Sequence, residues 1–448
     1  MKRFLIVITA CSIAVSSYGQ NTLSLADCKE MALQSNVAMR NSQLELEAMQ
    51  EVKKNASTNY FPKVNASLFG MKAISPIVEM DVPGGNLPVY DGNPANLATA
   101  TEFAYFPGLN MGLMEEAQLA SINLVQPVYT GGRIANGNKL AKLGVDVKEK
   151  QLALTEDQVL LQTEQQYWLI VSLQEKEKTI AKYEELLSSV EKQVNDAFNS
   201  GLILKNDLLK VQLKQSELQA NKSQLINGKK LATMQFCQTI GIDYDSMLVL
   251  SEDLQEVNLP QAYFTQSKEA VSGRIEYELL QKSVEAEQLQ TKMAKGELMP
   301  QAAVGASGFY LNGVIPGADG RNNGLLYATI SIPISDWWGG THKVKEHEAK
   351  VRIAQNTFDD TRKLLVLQIE KGWTDVTQAH EQVQLMQTTA RQAEENLRVT
   401  RDSYNNGLIT VSDLLEAQAI VVETDDKLIE AKTKYRLAIA TYLQLTGR

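Results

Sequence analysis

One unusual stretch of this 448-residue chain occurs twice. Phe198-Asn199-Ser200-Gly201-Leu202-Ile203 leads into Asp207-Leu208-Leu209 and Gln212. Tyr404-Asn405-Asn406-Gly407-Leu408-Ile409 leads into Asp413-Leu414-Leu415 and Gln418. Matched residues are 206 positions apart, and eight of the fifteen positions from 198 to 212 are identical in the second copy. Internal repetition at this spacing implies two structurally equivalent halves, each with a long helix, a tight tip and a returning helix. The repeats run over about 20–240 and 262–448, joined by a connector near 241–262 that holds Gly241, Asp243, Asp245 and Pro260.

The long segments are built almost wholly from helix formers. From Arg133 to Asn199 apolar residues recur at three- and four-residue spacing, as in Val159, Leu160, Ile170, Val171, Leu173, then Ile180, Tyr183, Leu187, Val190 and Val194. This is amphipathic helix with coiled-coil-like periodicity. Its 67 residues rise roughly 100 Å at ~1.5 Å each. A second such run extends from His342 to Asn405. The returning helices, 207–240 and 413–445, are shorter, and each is completed by another helix, 266–298 and 23–58 respectively. At each tip Gly201 or Gly407 is suited to the left-handed residue that ends a helix. Thr410-x-x-Asp413 has the spacing of a capping box that starts the next one.

Four segments of about ten residues break this pattern: 61–71, 119–128, 302–311 and 325–334. Ala120, Ile122 and Leu124 alternate with Ser121 and Asn123; Leu326, Ala328, Ile330 and Ile332 alternate with Tyr327, Thr329 and Ser331. Period-2 segments of this length are predicted tilted transmembrane strands. They form two hairpins, near 61–128 and 300–334, the first with a long loop (72–116) and the second with a short one (312–323). Both exit through matching elements, Pro127 with Gly131-Gly132 and Pro333 with Gly339-Gly340. The prolines should end the ladders and the glycines permit the swerve into helix. Four strands cannot close a membrane barrel, which needs about eight or more. Several chains must then share one barrel, and three would give about twelve strands.

The N-terminus reads as a secretory signal peptide over 1–19: Lys2 and Arg3, the apolar run Phe4–Val15, then small residues before cleavage after Gly19. Ile8-Thr9-Ala10-Cys11 also has the form of a loose lipoprotein box, which would make Cys11 a lipidated terminus. No later run of 18 apolar residues exists, so no transmembrane helix is expected. Cys28 and Cys237 are expected to be packed thiols. The formal charge of −9 gives no support for nucleic-acid binding. No CxxC or HExxH is present, and His342 and His347, five apart, do not share a helix face. No metal, cofactor or catalytic constellation is indicated, and the chain is not read as an enzyme.

Taken together, these residues resemble the outer-membrane efflux proteins, the TolC-like channel–tunnels. The resemblance spans nearly all of the chain after the signal. It is carried by Leu23-Ser24-Leu25-Ala26-Asp27-Cys28, by Gln126-Pro127-Val128-Tyr129-Thr130-Gly131-Gly132, by the two Gly-Leu tips, and by the end from Tyr435 to Gly447. It implies a mainly α fold with a small β-barrel contribution. In that fold a homotrimer forms a 12-stranded barrel in the outer membrane of a Gram-negative bacterium, on an α-helical tunnel in the periplasm. It further implies a passive exit duct for a tripartite efflux or type I secretion system, docked by a periplasmic adaptor and energised by an inner-membrane pump.

Asp413 and Glu416 share one helix face just inside the second tip. The resemblance makes them the acidic pore constriction, which would favour cations. It also makes Asp207 and Tyr404 the latch that bridges neighbouring coils, whereas Ile409 stands where the family's best-known member has an arginine. In the first repeat the equivalent face carries Asp207 and Lys210, which can pair with each other. The tips Gly201-Leu202 and Gly407-Leu408 are the implied adaptor-docking surface. The 72–116 loop, with its aromatic and methionine residues, is expected to pack across the barrel mouth. Trp337-Trp338 reads as an interfacial anchor, and Trp168 and Trp373 as packing residues. A coiled-coil scaffold without a lumen would leave the four strands unexplained, and a soluble periplasmic enzyme or binding protein would need a compact core.

Overall fold

In the computed structural model, residues 22–254, 258–315 and 317–448 are described. The signal segment and Cys11 lie outside them. The helices are α1 (Leu25–Ser35), α2 (Val37–Thr58), α3 (Arg133–Asn199), α4 (Lys205–Ile240), α5 (Ser267–Ala270), α6 (Ile275–Glu297), α7 (Asp336–Asn405) and α8 (Val411–Leu445). The strands are β1 (Thr22–Leu23), β2 (Lys63–Lys72), β3 (Val78–Val82), β4 (Gly85–Pro88), β5 (Phe103–Phe106), β6 (Leu109–Leu113), β7 (Glu116–Tyr129), β8 (Val249–Leu250), β9 (Gln301–Asn312) and β10 (Arg321–Ser331). The chain divides into two units, one of Met1–Ala48, Val145–Ser283 and Gln355–Arg448, the other of Met49–Gly144 and Val284–Ala354.

The first unit is mainly helical, and its described residues form three hydrophobic cores. One gathers Cys28, Ala32, Tyr167, Ile170, Phe236 and Leu250. Tyr167 Oη donates to the Leu23 carbonyl at 3.2 Å and accepts from Glu252 N at 3.2 Å. It thereby holds the parallel β1–β8 pair, in which Leu23 faces Leu250. Another core, with Ile369, Val376, Tyr435 and Tyr442, belongs to α7 and α8. The two cores are related by the repeat. Tyr167 meets Phe236 edge-on at 6.2 Å, and their counterparts 206 positions on, Trp373 and Tyr442, meet at 5.5 Å. Cys28 and Cys237 are buried free thiols, and burial pushes the Cys28 thiol up to about 12.

The third core lies at the tips, with Leu187, Val194, Val211, Leu218, Val411, Leu414 and Leu415. Along the first hairpin Glu191 pairs with Gln215 (2.5 Å), Glu184 with Lys222 (2.6 Å) and Glu177 with Lys229 (2.6 Å). Each step moves seven residues up one helix and seven down the other, the heptad register of an antiparallel coiled coil. In the second hairpin the equivalent pairs are Leu397 with Val421, Ala390 with Leu428, and Val383 with Tyr435. The flank that is ionic in the first repeat is therefore apolar in the second, where Val383 and Tyr435 join a buried core.

Two expected helices are interrupted. The 23–58 segment is α1 and α2, parted at Asn36, whose backbone is extended (φ −66°, ψ 133°). Its N–H donates to the Ala32 carbonyl and its Oδ1 accepts from Ala38 N at 2.8 Å. One short polar side chain thus ends one helix and starts the next. The 266–298 segment is broken between α5 and α6 by a 3₁₀ turn at Val271–Gly273.

The second unit carries an antiparallel sheet in the order β10-β9-β7-β2, so the two expected hairpins lie side by side and both outer strands have an unpaired edge. Its register puts Ile122 beside Ala66 and Gly308, and Leu326 beside Ala306. That face is apolar, with Val64, Leu68, Ile122, Leu326 and Ile330 all exposed. The opposite face is polar: Ser67 Oγ bonds Ser121 Oγ (2.8 Å), Asn123 Nδ2 donates to Ser121 Oγ (3.2 Å), and Ser307 Oγ donates to Asn123 Oδ1 (2.6 Å).

Three expectations here need correction. β7 does not stop at Pro127: it runs to Tyr129 through a register shift between those residues. Gly339 and Gly340 lie inside the first turns of α7, whereas Gly131 and Gly132 have φ of 64° and 79°. Only the first exit uses left-handed glycines for its swerve. A Cβ on Gly131 would strike the Gly296 carbonyl, so glycine also permits this turn to cross the end of α6. Lastly, the 72–116 segment continues as ribbon, with β3 paired to β6 and β4 to β5. Met80 faces Met111, and Val82 faces Leu109.

Candidate functional site: the helix tips

Both tips close in the same way. Gly201 (φ 69°) and Gly407 (φ 71°) are left-handed. Leu202 N donates to the Ala197 carbonyl and Gly201 N to Phe198; Leu408 N donates to Ser403 and Gly407 N to Tyr404. This is the Schellman termination, in which the turn satisfies the last carbonyls of the helix. It leaves Leu202 and Leu408 at the apex, 78% and 75% exposed.

The helix starts differ. Thr410 Oγ1 accepts from Asp413 N, and Asp413 Oδ2 accepts from Thr410 N (2.8 Å) and Thr410 Oγ1 (2.7 Å), completing the capping box. These bonds, with the nearby Lys210 charge, hold the Asp413 carboxyl below the usual range. The same box starts α1 at Ser24 and Asp27. In the first repeat the cap position is Leu204, which offers no side-chain bond. Asp207 accepts instead from Lys210 Nζ at 3.3 Å, the pairing expected from the sequence.

Asp413 and Glu416 both stay exposed, while Leu414, Leu415, Ala417 and Gln418 of the same turns are buried. The chain thus turns its two acidic groups away from its own tip core. Asp207 and Tyr404 come near each other within one chain. Burial, then the Asp207 charge, raises the Tyr404 hydroxyl, but no hydrogen bond joins the two among the described contacts.

Two features escaped the sequence reading. Lys210 Nζ also donates to Ser412 Oγ at 2.7 Å, tying the two tips together. Its signal was the replacement of an acid by a lysine at the position equivalent to Glu416. Gln418 is 1% exposed with neither amide atom bonded, whereas its repeat counterpart Gln212 is exposed. The identity of these two glutamines hid their different surroundings. Among the described residues no cluster of His, Cys, Asp and Glu could hold a metal, and no helix is long and apolar enough to cross a membrane.

The described residues thus combine long paired helical hairpins in one unit with a four-stranded sheet, apolar on one face and polar on the other, in the second. Residues 279–448 match the profile of the family described as outer membrane efflux protein. No curated protein matches the chain. The fold is similar to that of the outer membrane protein VceC from Vibrio cholerae, at 13% identity and a TM-score of 0.73, over 94% of this chain and 96% of that one. It is similar to the Campylobacter jejuni CmeC outer membrane channel, at 14% identity and 0.74, over 100% and 94%. It is also similar to the Neisseria gonorrhoeae MtrE outer membrane channel in its open state, at 12% identity and 0.73, over 94% and 88%. The family match thus rests on the C-terminal part of the chain, while the fold of these outer-membrane channels extends over nearly all of it.

Proposed function

We propose that three copies of this chain pair their free β2 and β10 edges into one twelve-stranded barrel, continued by a helical tunnel in the periplasm of a Gram-negative bacterium. The observation that carries this reading is the sheet itself. Two unpaired edges in lipid would leave backbone groups unsatisfied, and closure with further copies removes them. The apolar face then meets lipid, and the Ser67–Ser121–Asn123–Ser307 face lines water.

In this reading the channel is the exit duct of a tripartite efflux or type I secretion system. Leu202 and Leu408, with Gly201 and Gly407, form the docking surface for a periplasmic adaptor, because exposed apolar side chains at a reversal suit a partner. An inner-membrane pump supplies the energy and selects the cargo. Asp413 and Glu416 of three chains make a ring of six carboxylates that favours cations. Asp207 and Tyr404 act in the latch of that aperture.

Electron microscopy of the detergent-purified protein tests the assembly. Three-fold end views around a stain-filled hole are expected; compact monomers or solid rods would overturn it. In planar bilayers, Asp413→Asn with Glu416→Gln should lower cation selectivity. An unchanged reversal potential would remove these residues from the constriction.

A further inference from the structure

At the foot of the sheet the second unit holds a half-open cavity of about 530 Å³, lined by Lys63, Tyr129, Arg133, Ile134, Met293 and Gln301 among others. Its charge is unusual. Arg133 is the first residue of α3, and the first turn of that helix holds no acidic residue. A cation there opposes the helix dipole, whose N-terminal end is positive. Arg133 donates through Nη2 to Gln301 Oε1 at 3.1 Å, but its Nε is buried with no partner. Lys63 is exposed and forms no ion pair among the described contacts. The one carboxylate of the lining, Glu297, is already held by Lys343 at 2.6 Å. Two cations therefore converge on one cavity with no free acid to balance them, while the first N–H groups of the helix are already taken up by Thr130 and Gly132. Such local conflicts mark functional positions, and two neighbouring cations suit an anionic head group. The rest of the wall, Ile134, Met293, Tyr129 and the Ala302–Ala303 pair, suits an apolar tail.

We propose that this cavity is a binding site for an amphipathic anion, with a phosphate, sulfate or carboxylate head on Arg133 and Lys63 and an apolar tail along Ile134 and Met293. Its lining includes Lys63, Thr329 and Ser331, which alternate in register with the apolar face and so share the polar face of the sheet. The ligand therefore comes from the lumen as cargo in transit, an assignment that rests on the channel reading above.

The test uses the full-length protein, purified in a neutral maltoside detergent and titrated calorimetrically with decyl phosphate. Saturable binding is expected. Lys63→Gln, at an exposed side chain, should weaken it several-fold, and Arg133→Gln tenfold or more. Decyltrimethylammonium should not compete. Equal affinity in wild type and Lys63→Gln, or equal binding of the cationic analogue, would overturn the site. Bound phospholipid that copurifies with the wild type and is lost in Lys63→Gln would overturn the cargo assignment. Trimers that fail to bind decyl phosphate would sink this inference alone, whereas binding by a protein that forms no trimer would sink the channel reading and leave the anion site.

Discussion

Lys210 and Ser412 join the two repeats at the tips: the lysine ammonium, 3.3 Å from Asp207 Oδ1 on its own helix, donates to Ser412 Oγ at 2.7 Å on the other. Ser412 directly precedes Asp413, so one cation both links the hairpins and offsets the acidic face. Because it is partly exposed, the link is worth only about 0.5–1 kcal/mol. Its larger effect is on charge.

Lys210→Ala is therefore expected to leave Asp207, Asp413 and Glu416 uncompensated and to increase cation selectivity. Reversal potential across a salt gradient measures this. The shift should shrink at high ionic strength, where the Debye length falls to about 3 Å at 1 M. A variant with the wild-type potential at low salt would show that Lys210 lies away from the conduction path.

The Asp413 cap predicts an acid dependence. Its carboxyl is held below the ordinary value of 3.8 by the Thr410 bonds. A depressed folded value contributes stability above the unfolded one, and that contribution is lost as pH falls through the folded value. Thr410→Ala should lower the melting temperature by about 1–3 °C at neutral pH, and the gap should narrow in strong acid. A gap independent of pH would mean that the cap acts without the charge of Asp413.

The repeat, the Schellman tips, the capping box and the four strands were legible in the sequence because each rests on local chemistry: a glycine at a reversal, Thr and Asp three apart, alternation at period two. What was not legible depended on tertiary partners. Asn36 reads as tolerable within a helix until its amide is seen bonding Ala38 N. The β3–β6 pairing joins residues some thirty positions apart through a loop rich in Gly, Pro and Asn. At the tips, sequence placed Lys210 beside Asp207 through their three-residue spacing. Ser412 lies 202 positions away in the chain and could enter only through the folded hairpins.

Gln418 supplies a stability prediction. Its side chain is fully buried in the turn of α8 that follows Leu414 and Leu415, and both amide atoms lack partners. Unsatisfied buried polar groups cost about 1–3 kcal/mol each. Gln418→Met, nearly the same in volume, should therefore stabilise the protein by about 1–3 kcal/mol. Denaturant unfolding that shows the variant less stable would mean that the amide is satisfied in solution, by an ordered water for example.

Asp426, two turns further along α8, should respond to pH in the opposite sense to Asp413. Burial raises its carboxyl above 3.8, Glu430 on its own helix adds to the rise, and Lys176 of α3 opposes it. Its neighbour Asp425 is raised as well, by burial and by Glu394 of α7, against Lys182 of α3. Asp426 Oδ1 is buried without a partner, since Lys176 is engaged with Glu430 at 2.6 Å. A carboxyl raised in the fold costs nothing while both states are protonated, and it destabilises increasingly as pH rises from the unfolded value through the folded one. Asp426→Asn removes that penalty. It should raise the melting temperature by about 1–3 °C at neutral pH, and the two proteins should converge below pH 3.8, the ordinary Asp value. Melting curves of both across that range decide it: a constant offset, or a less stable Asn variant at neutral pH, would mean that Asp426 is ionised and well paired within the helices.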